Sequence, residues 1–218
     1  MFHALLDMFF PPQCAGCNAA GIGLCDRCVP RDEPPLLRAL PTLRVYALGE
    51  YRGPLRRAVL ALKDGRRDVA QSLGERLSAM VSAPMLLGPV RTTAARRRVR
   101  GIDGVEYLAR VAARRTGATV ACAIEPIRGD AQRGRSRGER LAARGRFWCD
   151  VGLVRGRSVT LVDDVCTTDS SCSAMSLAAS AGITDIIFCM SWMTVPGSAT
   201  SPYPRTTAAS IGTSATNP

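Results

Sequence analysis

Between Ser158 and Ser171 the chain reads Ser-Val-Thr-Leu-Val-Asp-Asp-Val-Cys-Thr-Thr-Asp-Ser-Ser, an apolar run that ends in two adjacent acids and a hydroxyl-rich turn. Such a run of Val and Leu suits a strand whose two faces are both covered, as in a parallel sheet. Parallel neighbours need a crossover connection, usually a helix. Residues 172–180, rich in Ala, Met and Leu and followed by the glycine stop Gly182, predict that helix, and residues 185–190 predict the next strand. A βαβ unit of this kind restricts the chain to the α/β class with a parallel sheet. Ligands of open α/β sheets sit beyond the carboxyl ends of strands, which is where Asp163 and Asp164 fall. The turn of Thr167, Thr168, Ser170 and Ser171 then opens a helix, whose unpaired N–H groups and dipole favour an anion such as phosphate. Successive strand residues point to opposite faces, so the two acids suit two separate contacts better than one shared proton.

A second constraint lies at the other end. Cys14-Ala-Gly-Cys17 and Cys25-Asp-Arg-Cys28 are two Cys-x-x-Cys knuckles seven residues apart, a spacing that gathers four thiolates around tetrahedral zinc. Gly16, Gly21 and Gly23 suit the tight turns this needs. A disulfide pair or redox motif is the competing reading, but a redox Cys-x-x-Cys occurs once, at the start of a helix. With four protein ligands the zinc is structural, because no position stays open for a substrate. The chain has nine cysteines, an odd number that fits a reducing cytoplasm. Cys122, Cys149, Cys166, Cys172 and Cys189 read as small buried hydrophobes.

At 218 residues and 46% hydrophobic content the chain can bury one full core plus a small appendage. No apolar run approaches the ~20 residues of a membrane-spanning helix. The opening segment lacks a basic start and carries Asp7, so it reads as a short amphipathic helix on the ribbon rather than a secretory signal. A lone histidine, His3, excludes a His-dependent triad in the main domain. The net charge is +11, and Lys63 is the one lysine among 29 cationic residues. Arginines concentrate at 96–98 and 100, and again at 133, 135, 137, 140, 144 and 146. Both clusters suit phosphate, whether on a pyrophosphate-bearing ligand or a nucleic acid. No aromatic residues interleave them, which argues against a base-stacking platform.

The stretch from Ser158 resembles the phosphoribosyl pyrophosphate (PRPP) motif of type I phosphoribosyltransferases. That resemblance implies ribose contacts for Asp163 and Asp164, and 5′-phosphate contacts for Thr167, Thr168, Ser170 and Ser171. Asp169 stands where the motif has glycine. It reads either as a helix N-cap or as a resident anion at the phosphate position, and in the second case repulsion of about 4 kcal/mol weakens phosphate binding. Taken with the zinc knuckles, the chain from Leu5 to Val195 is similar to the ComF family of competence-related proteins. The similarity is carried by Leu5-Leu-Asp-Met-Phe-Phe-Pro-Pro-Gln-Cys14, by Tyr51-Arg-Gly-Pro-Leu-Arg-Arg-Ala-Val-Leu-Ala-Leu-Lys63, by Arg100-Gly101 with Glu106-Tyr-Leu-Ala-Arg110, and by Gln132 with Glu139-Arg140. Departures fall at Gly88-Pro-Val-Arg91, at Ile102-Asp103-Gly104 and at Ala143.

What the resemblance implies is a type I phosphoribosyltransferase-like parallel sheet flanked by helices over 42–195, a zinc ribbon with a short helix over 1–30, and a disordered tail over 196–218. It implies a protein of DNA uptake, natural transformation or DNA processing, with PRPP or another phosphoribosyl ligand and with single-stranded DNA or DNA-uptake proteins as partners. Arg91, Arg100 and Arg140 become contacts for pyrophosphate or nucleic acid. Two alternatives stay open: an active phosphoribosyltransferase of nucleotide metabolism using Mg²⁺ with PRPP, and a non-enzymatic zinc-ribbon adaptor for nucleic acid or protein. Local signals predict a helix over 3–9, a linker over 30–41, a strand over 43–48, and helices over 54–62 and 70–81. They continue with a strand over 85–90, an arginine-rich loop, a helix over 104–116, a strand over 119–124 and a mobile loop to about Arg146.

Overall fold

The computed structural model describes residues 11–31, 35–40, 43–81, 83–126, 147–154, 157, 159–167 and 186–193. The expected helices over 3–9 and 172–180, most of the expected mobile loop, the turn after Thr167 and the expected tail lie outside these residues. Among the described residues no helix is long and apolar enough to cross a membrane.

The chain folds as an α/β structure. Among the described residues its main sheet has six strands: β1 (Leu36–Leu40), β2 (Leu43–Ala47), β3 (Leu86–Pro89), β4 (Thr119–Val120), β7 (Val159–Thr167) and β8 (Ile186–Met193). They lie in the order β1-β2-β8-β7-β3-β4. All neighbours are parallel except β1, which pairs antiparallel with β2 at one edge. A separate antiparallel pair joins β5 (Ile124–Pro126) to β6 (Phe147–Cys149). The helices are α1 (Gly53–Lys63), α2 (Arg67–Leu77), α3 (Ala94–Arg100), α4 (Gly104–Thr116) and the single turn α5 (Val151–Val154).

The interior divides into two apolar layers. Tyr46, Leu87 and Val162 face one, with buried residues of α1, α2 and α4. Val45, Ala47, Leu86, Val159, Leu161 and Cys166 face the other, with Ile124 and Val154. Helix α1 carries Pro54 in its first turn, where a missing N–H costs nothing, and buries Leu55, Ala58, Val59 and Leu62 at helical spacing. Helix α2 crosses α4 at Gly74, where an added Cβ would stand 2.7 Å from both the Leu108 carbonyl oxygen and Val111 Cβ. Helix α4 is capped by Asp103, whose Oδ1 accepts the Glu106 N–H at 3.1 Å, and it stops at Gly117 with φ +78°.

Three expectations are corrected. The linker expected over 30–41 contains β1, because Leu36-Leu-Arg-Ala-Leu40 is apolar enough to double back onto β2. The arginine-rich loop contains α3, started by Thr93, which accepts the Arg96 N–H at 3.4 Å, and ended by Gly101 at φ +73°. The strand expected over 119–124 is two short ones: β4 follows β3 for two residues, and β5 then leaves to pair with β6.

The cysteine-bearing segment does not stand apart from the rest. Cys14, Leu24 and Val29 are buried in the same apolar layer as Val69, Leu73 and Leu77 of α2. Arg76 of α2, with 1% of its surface exposed, binds this segment from below. Its guanidinium donates to the carbonyls of Val29 at 2.7 Å and Leu24 at 3.0 Å, to Ser72 O at 2.9 Å, and to Asp26 Oδ1 at 2.8 Å. From α1, Arg57 donates to the Gly16 carbonyl. All three nitrogens of the buried Arg76 guanidinium thus meet acceptors, as burying a charge requires.

Candidate functional site

Two sites emerge, one at each end of α1. At the first, the Sγ atoms of Cys14, Cys17, Cys25 and Cys28 all lie within 4.8 Å of one another. Both Cys14 to Cys25 and Cys17 to Cys25 measure 3.6 Å. A disulfide would bring two sulfurs to about 2.05 Å. Tetrahedral thiolates about 2.3 Å from a metal stand about 3.8 Å apart, close to the spacing here. Backbone N–H groups of Gly16 and Cys25 each donate to Cys14 Sγ at 3.3 Å. Burial acts to raise the Cys14 thiol, but the N–H groups of Cys25, Gly16 and Cys17 outweigh it and bring the pKa down to about 6. Cys28 is pushed up, first by burial and then by its thiol neighbours. Four thiolates therefore coexist only with a cation among them, and the donor set fits a metal ion.

At the second site, the segment after β3, the middle of β7 and residues of α1, α3 and α4 border a cavity of about 280 Å³. The acid pair expected at a strand end stands instead within β7, because Val165, Cys166 and Thr167 continue the pairing with β8. Asp163 and Asp164 both line it. Asp163 Oδ1 accepts the Asp164 N–H at 2.7 Å. Its carboxyl is held well above the usual carboxylate range, by burial first and then by the neighbouring Asp164 charge; the Asp164 N–H and Lys63 pull the other way. Asp164 Oδ2 lies 3.3 Å from Lys63 Nζ. The two acids therefore have different electrostatic surroundings, and each can make its own contact.

Lys63, Arg91, Arg96 and Arg100 give the cavity a cationic side. Arg91 is held by two carboxylates, Glu106 Oε2 at 3.0 Å and Glu125 Oε1, so much of its charge is already compensated. Burial would raise the Glu106 carboxyl, but hydrogen bonds from Arg110 and the charges of Arg91 and Arg110 hold it below its usual range. Arg96 and Arg100 make no ion pair among the described residues. Asp103 braces the wall, its Oδ2 accepting the Thr92 N–H at 2.8 Å.

Of the site residues read from sequence, the four cysteines come together at one site. Asp163, Asp164, Arg91 and Arg100 come together at the other. Thr167 ends β7, whereas Thr168, Asp169, Ser170, Ser171 and Arg140 lie outside the described residues. Sequence reasoning left Lys63 and Asp103 out of the site. Asp103 entered only as a departure from the ComF pattern; the signal that could have found it is its Asp-x-x-Glu capping spacing. Lys63 was marked as the last residue of the Tyr51–Lys63 stretch that resembles the ComF family and as the one lysine of the chain, but not as a site residue.

Among solved structures the chain is similar to the allosteric regulatory enzyme of purine biosynthesis, with 19% identity and a TM-score of 0.41 over 56% of this chain and 25% of that one. The chain thus spans about a quarter of that protein's length. No protein-family model and no curated protein matches it.

Proposed function

We propose that the cavity binds a phosphoribosyl group, on PRPP or another ribose 5-phosphate derivative, and that the four thiols hold a structural zinc. The observation that carries the first part is the meeting of Asp163 and Asp164, on a central parallel strand, with Lys63, Arg96 and Arg100 in the lining of one cavity. Carboxyl groups suit the vicinal hydroxyls of a ribose, and the arginines suit a phosphate. A volume of about 280 Å³ is at the small end of ligand pockets, as a sugar phosphate requires. Mg²⁺ brought by PRPP would screen its pyrophosphate. The four-sulfur donor set and its spacing favour zinc.

The resemblance to the ComF family supports DNA uptake or DNA processing as the process in which this binding is used. Calorimetric titration with PRPP and Mg²⁺, repeated with competing single-stranded DNA, tests the reading. Saturable one-to-one binding abolished in Asp163→Ala supports it, whereas no heat of binding up to millimolar PRPP rejects it. Release of pyrophosphate in the presence of a nucleobase would identify a transferase; binding without release would identify a sensor or adaptor.

A further inference from the structure

We propose that Lys63 is a positioning residue, the built-in counter-ion of Asp164, which lets the acid pair hold a ribose without a divalent cation bound to the carboxylates. This rests on the phosphoribosyl reading of the cavity. Of 29 cationic residues in the chain, 28 are arginine, and the one lysine lies against the acid pair. The choice of head group has physical consequences there. Guanidinium is a wide planar fork that takes both oxygens of a carboxylate, whereas ammonium is a compact point charge with three tetrahedrally placed donors. At 3.3 Å from Asp164 Oδ2 one donor direction is used, and the others can serve a ligand oxygen.

The position is enforced from below. Leu62, 2% exposed, anchors the last turn of α1 in the apolar layer, and Lys63 is the next residue at the helix end. The Lys63 side chain keeps about a third of its surface exposed and lines the cavity. A cation at a helix C-terminus is also favoured by the dipole. Charge balance follows from these neighbours. Asp164 is matched by Lys63, and half-buried Asp163, beside the Asp164 charge, retains its proton more readily than a free carboxyl does. A divalent cation approaching the pair meets the Lys63 charge and little uncompensated negative charge. Any Mg²⁺ in the complex should therefore sit on the ligand's pyrophosphate.

The test uses the full zinc-loaded chain, ribose 5-phosphate as a ligand without pyrophosphate, and Mn²⁺ as a paramagnetic probe. For the unaltered protein, ribose 5-phosphate affinity should be the same within about twofold with or without Mg²⁺, and Mn²⁺ alone should not bind the cavity. Lys63→Met should weaken ribose 5-phosphate by about 10- to 100-fold without divalent cation, the loss expected for a charged hydrogen bond. It should also create a Mn²⁺ site, seen by electron paramagnetic resonance, and Mn²⁺ should restore sugar binding. Lys63→Arg, which keeps the charge and guards against a folding defect, should remain Mg²⁺-independent. Equal affinity of Lys63→Met and the unaltered protein without metal would overturn the counter-ion role, as would Mn²⁺ bound at the acid pair of the unaltered protein. Failure of the unaltered protein to bind ribose 5-phosphate under any condition would instead overturn the phosphoribosyl reading, and this inference with it.

Discussion

Asp163 ties the chemistry of the cavity to the stability of the fold. Its carboxyl is raised in the folded chain, so the folded state holds a proton that the unfolded chain releases near pH 4. Between that value and the higher folded one the unfolded state binds fewer protons, and unfolding free energy should fall as pH rises through this window. Asp163→Asn should flatten the fall, as urea unfolding at a series of pH values would show. Unchanged pH dependence in the variant would mean that burial does not charge-limit this side chain. Single residues were legible where spacing carried the meaning: the cysteines and the Asp-Asp pair announce themselves locally. Arg91 was legible only as a cation, because its partners Glu106 and Glu125 are supplied by α4 and β5, elsewhere in the chain. Lys63 was legible as part of the Tyr51–Lys63 stretch but not as a partner of the acid pair, since that contact depends on the end of α1 meeting the middle of β7, about a hundred residues later.

Elements were legible where a periodic pattern met an unambiguous stop. Helix α4 follows its expected bounds, since Asp103 and Gly117 frame it. Helix α3 escaped because it buries none of its side chains, so it has no apolar stripe to detect, although its cap and glycine stop were both written in the sequence. Gly74 shows the reverse case: glycine in mid-helix lowers helix propensity by about 1 kcal/mol relative to alanine, which argues against placing it there. The crossing with α4 explains it, because a methyl would press on the Leu108 carbonyl and Val111. Gly74→Ala should therefore destabilise the chain by about 1–3 kcal/mol, the usual range for overpacking, despite its gain in propensity. Thermal melting of the two proteins checks the sign: a higher midpoint for the alanine variant would show that the crossing relaxes freely.

At the scale of the molecule, the thiol cluster and the α/β body share one apolar layer and one buried arginine. Cys25→Ser should remove stoichiometric metal, measured by elemental analysis, and lower the melting temperature of the whole chain in a single transition. Two separate transitions would show the two parts to be energetically independent. Arg76→Met should cost about 1–3 kcal/mol for each buried carbonyl left without its donor, those of Leu24 and Val29, while exposed Asp26 keeps Arg31; denaturant unfolding would measure it. The α/β class was readable because a β-branched strand with acids at its end belongs in few architectures. The union of ribbon and body was not, since it depends on a guanidinium whose acceptors lie 47 and 52 residues earlier. That separation gives the shared layer an order in time. At a synthesis rate of about 5–20 residues per second, Arg76 is made roughly 2–10 seconds after Val29. Until then the cysteine knuckles lack the helix that covers their backbone, so the four thiols of a nascent chain are open to a metal ion before there is a body to fold against.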